Sequence, residues 1–173
     1  LTKILKENGC NITGIELNSE SAKQASKFTD KIIIGDIETL DLNKELSTSK
    51  FDVILIGDFL EHLNDPEKIP KLLINYLKPD GYFVMSIPNI AHGSIRLKLL
   101  NGIFEYKQTG LLDVTHKKFF TLNSILQLLN NAGLKINKLH RVTVDFFGGS
   151  DGPDLDRSII PSELLQSILR DPE

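Results

Sequence analysis

The chain is poor in the residues that make covalent or metal staples. It has one cysteine, Cys10, one methionine, Met85, and no tryptophan in 173 residues. A single cysteine excludes an internal disulfide and a cysteine-based zinc cluster, and it fits a reducing, cytoplasmic compartment. No apolar run approaches the roughly 18–20 residues that span a bilayer, and there is no signal-peptide pattern. The net charge is −3 and the sequence pI is about 5.8. Basic residues form only short groups such as Lys117-Lys118, so the chain lacks the footprint of a nucleic-acid binder. The length suits one domain over residues 1–173, with one core.

What is present is alternation. Leu1, Ile4 and Leu5 mark one face of a short helix that Gly9 stops. Asn11 to Glu16 reads as a strand ending in an acid. Asn18 or Ser19 can cap a helix through Lys27, whose small residues Ala22, Ala25 and Ser26 allow close approach to a sheet. Lys31 to Ile34 is a second strand, followed by Gly35-Asp36. Phe51 to Ile56 is a third, apolar enough to be buried on both faces of a parallel sheet. Ile69, Leu72, Leu73, Tyr76 and Leu77 have helical spacing. Pro70 moves the expected start of that helix to its own position, because an interior proline costs about 3 kcal/mol. Lys78-Pro79-Asp80-Gly81 reads as a tight turn, and Tyr82 to Ile87 as a fourth strand.

Further along, Gly93 to Asn101 has a helical pattern, and Phe104 to Phe120 has no period and reads as a functional or covering loop. Thr121 caps a helix that Gly133 ends. Leu134 to Phe147 reads as a long strand, Gly148 to Pro153 as a flexible stretch and Ser162 to Arg170 as a final helix. Strands alternating with helices predict an α/β fold with a mostly parallel sheet and right-handed crossovers. Ligands of such sheets bind where strand ends open into loops. Here those tips are Glu16, Asp36 and the acidic loop from Asp58 to Asp65.

The ordered set Ile15-Glu16-Leu17, Gly35-Asp36-Ile37-Glu38, Phe51 to Leu63, Leu77 to Gly81, Ile87-Pro88-Asn89, Leu112 to Thr121 and Ala132-Gly133 resembles the class I S-adenosylmethionine-dependent methyltransferases. The similarity is greatest to the branch with ubiquinone-type and sugar-associated enzymes. The resemblance implies a Rossmann-like sheet flanked by helices, S-adenosylmethionine as cofactor and methyl transfer to a small-molecule or sugar acceptor, expected at oxygen. The family's glycine-rich first loop would precede Leu1 and its last strand would follow Glu173, so the sequence reads as a fragment lacking both. The fragment's hold on the cofactor without that loop, its acceptor and its oligomeric state stay open.

The resemblance also assigns roles. Glu16, with Leu17, would accept hydrogen bonds from the ribose hydroxyls; a plain solvent-exposed acid is the alternative. Asp36 would take the adenine amino group and Ile37 would make an apolar contact, against an Asx turn. Asp58 would face the cofactor's sulfonium and the acceptor, and Phe59 would pack on the adenine or the cation. His116 is the catalytic candidate, since a histidine can take a proton from an acceptor hydroxyl near neutral pH; a loop-holding role is the alternative. His62 is read as structural. Glu61 and His62 find no second metal-ligand cluster in the sequence, so no metal is expected. Phe104, Tyr106, Phe119, Phe120, Phe146 and Phe147 are candidates for an acceptor wall or simple core. A nicotinamide-dependent oxidoreductase and a non-catalytic interaction module are the competing functions.

Overall fold

In the computed structural model, which describes residues 1–142, 161–163 and 166, asparagine and threonine side chains start the helices that the sequence marks. Asn18 Oδ1 accepts from the backbone N–H of Glu20 (2.9 Å) and Ser21 (3.0 Å), which opens α2 (Ser19–Ala25). Thr121 and Ser124 form a reciprocal capping box at the start of α6 (Leu122–Asn131). Each satisfies amide donors that have no partner inside the helix.

The chain divides into two compact units, Leu1–Phe51 and Asp52–Glu173. The first contains α1 (Thr2–Glu7), β1 (Thr13–Glu16), α2, β2 (Lys31–Ile34) and α3 (Leu42–Leu46). β1 and β2 pair in parallel with Thr13 opposite Lys31 and Glu16 opposite Ile34. Ala22 is fully buried, as its small side chain allows, and shares the core with Ile33, Leu42 and Leu46. α3 is a helix that the sequence reading does not contain. Asp41 caps it, and its buried pair Leu42 and Leu46 is spaced four apart on one face.

Asp30 secures the start of β2 in this unit. Lys6 Nζ donates to Asp30 Oδ1 (2.5 Å) and the Ile12 amide donates to Oδ2 (2.7 Å). The Lys6 bond, then the Ile12 amide, hold the Asp30 carboxyl below its ordinary range. A carboxyl depressed in the folded state contributes stability above its unfolded pKa of about 3.9 and loses it as pH falls through the lower folded value. Asp30→Asn is therefore expected to be less stable than the parent at neutral pH, with the gap closing below about pH 4. Thermal melts of both proteins across that range check this.

The second unit continues with β3 (Phe51–Gly57), a 3-10 turn at Leu60–His62, α4 (Lys68–Leu73), a 3-10 turn at Ile74–Tyr76, β4 (Leu77–Ser86), α5 (Gly93–Leu100) and α6. β3 and β4 form a two-stranded sheet. Lys78 pairs with Asp52 (2.8 Å) near the start, and the Asp58 amide donates to Ser86 O (2.9 Å) at the end, so the strands run in parallel. Leu60, Ile69, Ile95 and Leu97 are the largest fully buried apolar side chains, joined in the core by Leu112, Phe120 and Leu128.

Several expectations are corrected. Lys78 to Gly81 is not a turn but part of β4; the ion pair to Asp52 and the pairing with β3 override the local Pro-Asp-Gly signal. α4 starts at Lys68, ahead of Pro70. Proline fits there because the first turn's N–H groups have no partner inside the helix. β3 is not covered on both faces. Val53 and Leu55 are 40% and 45% exposed, as a strand in a two-stranded sheet lacks the neighbours to bury both sides. Leu134 to Val142 forms no strand, so His140 is an exposed residue of an irregular segment. The rest of that expected strand, the stretch from Gly148 to Pro153 and most of the expected final helix lie outside the described residues. No helix among the described residues is long and apolar enough to cross a membrane.

Candidate functional site

In the first unit the parallel register brings two acids to one sheet edge. Glu16 ends β1, Gly35 follows β2, and the Gly35 amide donates to Glu16 O (2.9 Å). Asp36 is the next residue, so both carboxylates stand at the strands' carboxyl ends. Gly35 takes φ +156°, a conformation that side chains disfavour. Glu16 Oε1 accepts from the Asn18 amide (2.9 Å) and Asp36 Oδ1 accepts from the Glu38 amide (2.9 Å). The latter bond closes the Asx turn weighed as the alternative for Asp36. It uses one oxygen and leaves Oδ2, as the Asn18 bond leaves Glu16 Oε2. Leu17 is 70% exposed and Ile37 is half-buried beside these acceptors. Two carboxylate acceptors with adjacent apolar side chains fit the hydroxyls, amino group and ring of an adenosine.

In the second unit Asp58 follows β3 with φ +44°, a left-handed conformation that non-glycine residues seldom take and that asparagine and aspartate tolerate better than most. Its amide donates to Ser86 O, and Ser86 Oγ donates to Asp58 Oδ1 (3.0 Å), which fixes the carboxylate at the strand tip. Phe59 is half-buried next to it. The chain then enters the Leu60–His62 turn, where Leu60 is fully buried and Glu61 is 1% exposed. Burial raises the Glu61 carboxyl above its ordinary range. Its Oε2 is buried with no hydrogen-bond partner among the described residues.

The segment 111–118 is clamped onto this turn. Glu61 O accepts from the amides of Lys117 (2.8 Å) and Lys118 (3.0 Å). Asp113 Oδ1 accepts from the Thr115 hydroxyl (2.6 Å) and amide (2.7 Å). These bonds, the hydroxyl's first, hold the Asp113 carboxyl below its ordinary range. The result sets His62 and His116 edge to face, with ring centroids 4.9 Å apart.

The tautomers of both rings follow from their partners. His116 Nδ1 lies 3.2 Å from Leu111 O, and His62 Nδ1 lies 3.2 Å from both Thr115 O and Thr115 Oγ1. A carbonyl can only accept, and the Thr115 hydroxyl hydrogen is already given to Asp113. Each Nδ1 therefore carries the proton and donates, which leaves each Nε2 with an open lone pair. Phe119 stands edge to face with His116 at 6.2 Å and packs against Tyr106 (6.1 Å) and Phe104 (6.4 Å).

Of the sequence candidates, Glu16, Leu17, Asp36 and Ile37 gather at one edge of the first unit. Asp58, Phe59 and His116 lie in the second. Phe104, Tyr106 and Phe119 form one aromatic cluster, whereas Phe120 is core, and Phe146 and Phe147 lie outside the described residues. His92 caps α5 by accepting from the Ser94 amide. Ser86 and Asp113 have no role of their own in the sequence reading, and Glu61 is read there only as part of the acidic loop. The acidic Asp-x-x-Glu-His run and the Asp-x-Thr-His spacing were their only sequence signals.

Residues 1–139 match the family described as "Methyltransferase domain". The chain belongs to that methyltransferase family. It is 28% identical over 148 residues to the ubiquinone biosynthesis O-methyltransferase of Actinobacillus pleuropneumoniae serotype 7, covering 80% of this chain and 62% of the relative. It is 23% identical over 137 residues to the enzyme of the same description from Shewanella pealeana, covering 78% of this chain and 58% of that protein. The chain thus spans about three fifths of the length of these relatives.

Among solved structures, an S-adenosylmethionine-dependent methyltransferase from Clostridium acetobutylicum superposes with a TM-score of 0.57 at 19% identity, over 80% of this chain and 70% of that one. One from Thermotoga maritima, described as a possible histamine N-methyltransferase, gives 0.54 at 23% identity, over 75% of this chain and 56% of that one. These likenesses show the Rossmann-like α/β methyltransferase fold, and the cofactor of this family is S-adenosylmethionine.

Proposed function

We propose that this methyltransferase domain transfers a methyl group to an oxygen of a small-molecule or sugar acceptor. The observation that carries the reading is the His116 imidazole. Its Nδ1–H is spent on Leu111 O, its Nε2 is open, and it stands beside the aromatic cluster of Phe104, Tyr106 and Phe119. Such a wall suits a ring-bearing or otherwise flat acceptor whose reacting group carries a proton.

S-adenosylmethionine, when bound, supplies a methyl group on a sulfonium that is already activated for in-line displacement. Glu16 would accept from the ribose hydroxyls and Asp36 from the adenine amino group, each with the carboxylate oxygen that its backbone bond leaves over. Leu17 and Ile37 give the ring its apolar contacts. Within the second unit, Asp58, locked by Ser86, and Phe59 pair a negative charge with an aromatic face, a combination that suits a sulfonium. The protein's remaining work is to orient the acceptor, exclude water and handle the hydroxyl proton through the His116 site as the carbon–oxygen bond forms.

Oxygen is favoured over nitrogen by the relatives described as O-methyltransferases. Incubation with cofactor labelled in the methyl group and a panel of phenolic, sugar and amine acceptors tests the reading. Label in an ether, stable to mild base, is the expected product. Label carried only by amines would overturn it.

A further inference from the structure

We propose that Asp113 is a positioning residue for methyl transfer, holding the His116 ring in the tautomer and orientation that offer a bare Nε2 to the acceptor hydroxyl. The inference rests on the function proposed above.

His116 sits in a segment without regular structure, so local bonds set its direction. Upstream, Lys107 pairs with the chain on either side of Asp113. Its amide donates to Leu112 O (2.8 Å) and its carbonyl accepts from the Val114 amide (2.9 Å). Downstream, the amides of Lys117 and Lys118 donate to Glu61 O. Thr115 and His116 lie between these anchors, and the amides of both donate to Asp113. The Thr115 amide goes to Asp113 Oδ1 (2.7 Å) and the His116 amide to Asp113 O (3.0 Å). The Asp113 amide in turn donates to Gly110 O (3.2 Å). Through its amide, carbonyl and carboxylate, one residue closes the turn from Gly110 to His116. That closure sets Leu111 O against His116 Nδ1 (3.2 Å).

The carboxylate also takes the Thr115 hydroxyl hydrogen (2.6 Å), which leaves Thr115 Oγ1 to accept at His62 Nδ1 (3.2 Å). Both rings of the edge-to-face pair are thus oriented by the same turn. The Thr115 hydroxyl and amide hold the Asp113 carboxyl below its ordinary range, so near neutral pH it accepts from them as a charged group.

In the transfer, the acceptor O–H breaks and its proton passes to His116 Nε2. The oxygen's electron pair forms the bond to the methyl carbon, and the pair of the breaking carbon–sulfur bond stays on sulfur. Nδ1 keeps its own proton, so the ring ends as an imidazolium still bonded to Leu111 O. A ring that swings away from Leu111 O loses what fixes the proton on Nδ1. With the proton on Nε2 instead, no lone pair meets the hydroxyl.

Long-range nitrogen–proton correlation spectra, with the His116 signals assigned by their loss in His116→Gln, read the tautomer without any ligand. The parent is expected to show a protonated Nδ1 and a bare Nε2. Asp113→Ala is expected to move His116 toward the Nε2–H form. With the best phenolic acceptor from the panel above, it is expected to lower kcat by about 10–100-fold and to leave the acceptor KM within about threefold, as loss of a transition-state contribution requires. Asp113→Asn keeps an Oδ1 acceptor and is expected to recover the parent tautomer and most of the turnover. Thr115→Val, which loses the hydroxyl bond and keeps the amide's, is expected to fall between the two. Asp113→Ala with the parent's tautomer or the parent's kcat would overturn the proposal. Should that variant not fold, parent behaviour in Thr115→Val would overturn it. The expected change of tautomer in a protein that methylates no oxygen acceptor would overturn the proposed transfer and leave Asp113 as the residue that orients the ring.

Discussion

His116→Ala is expected to lower turnover by about 10²–10⁴-fold, the usual range for removing a group that handles a proton in the transition state. That corresponds to about 3–5.5 kcal/mol of barrier. S-adenosylhomocysteine affinity is expected to stay within about twofold, because the ribose and adenine acceptors assigned above, Glu16 and Asp36, belong to the first unit and His116 to the second. The loss follows from the position of Nε2, whose lone pair is the only unspent polar function of the side chain. The fold should survive, since His116 is only half-buried and its side chain bonds to the backbone at Leu111 O. Single-turnover kinetics with saturating cofactor measure the step directly. Turnover equal to the parent's would remove His116 from the mechanism and restore its reading as a loop-holding residue.

The second large effect is on the cofactor. Glu16→Ala is expected to weaken S-adenosylhomocysteine binding by about 30–1000-fold. The estimate takes the loss of charge-assisted hydrogen bonds to the ribose at about 2–4 kcal/mol in total. Glu16→Gln keeps an acceptor at the strand tip and should lose less. Glu16 Oε1 also holds the Asn18 amide, so part of any loss could come from a loosened start of α2. Asn18→Ala separates the two effects. It removes the cap, worth roughly 0.5–2 kcal/mol of stability, and keeps the Glu16 carboxylate. Calorimetric titration and thermal melts of the three variants distinguish a ligand contact from a folding contact. Glu16→Ala binding as tightly as the parent would reassign Glu16 as a solvent-exposed acid.

Local chemistry was legible where it was also decisive. Ile32 to Ile34 are apolar and β-branched, bounded by Asp30-Lys31 and Gly35-Asp36, and the segment from Lys31 to Ile34 forms the strand that it predicts. Thr121 and Gly133 bracket α6 as their capping chemistry requires. Misreadings arose where partners far along the chain decide. Pro79-Asp80-Gly81 has strong turn character, yet Lys78 meets Asp52 and the segment is extended. α3 is only one turn and a half, too short for a period to show, although Asp41 and the Leu42–Leu46 pair mark it in hindsight.

The same limit governed the candidate site. Strand-tip acids can be found from sequence because tips follow apolar runs. The cluster of Glu61, His62 and His116 could not be, because its third member comes from an aperiodic segment. The bonds from the Lys117 and Lys118 amides to Glu61 O and from His62 Nδ1 to Thr115 O bring that segment to the 60–62 turn. Burial of Glu61 was equally hidden, since a glutamate beside a histidine in an acidic run reads as solvated surface.

The most direct test of the account is calorimetric titration of the protein against S-adenosylhomocysteine and against NAD. The account predicts one-to-one binding of S-adenosylhomocysteine, weakened by both Glu16→Ala and Asp36→Ala, and no heat with NAD. Binding of NAD with no response to S-adenosylhomocysteine would contradict it.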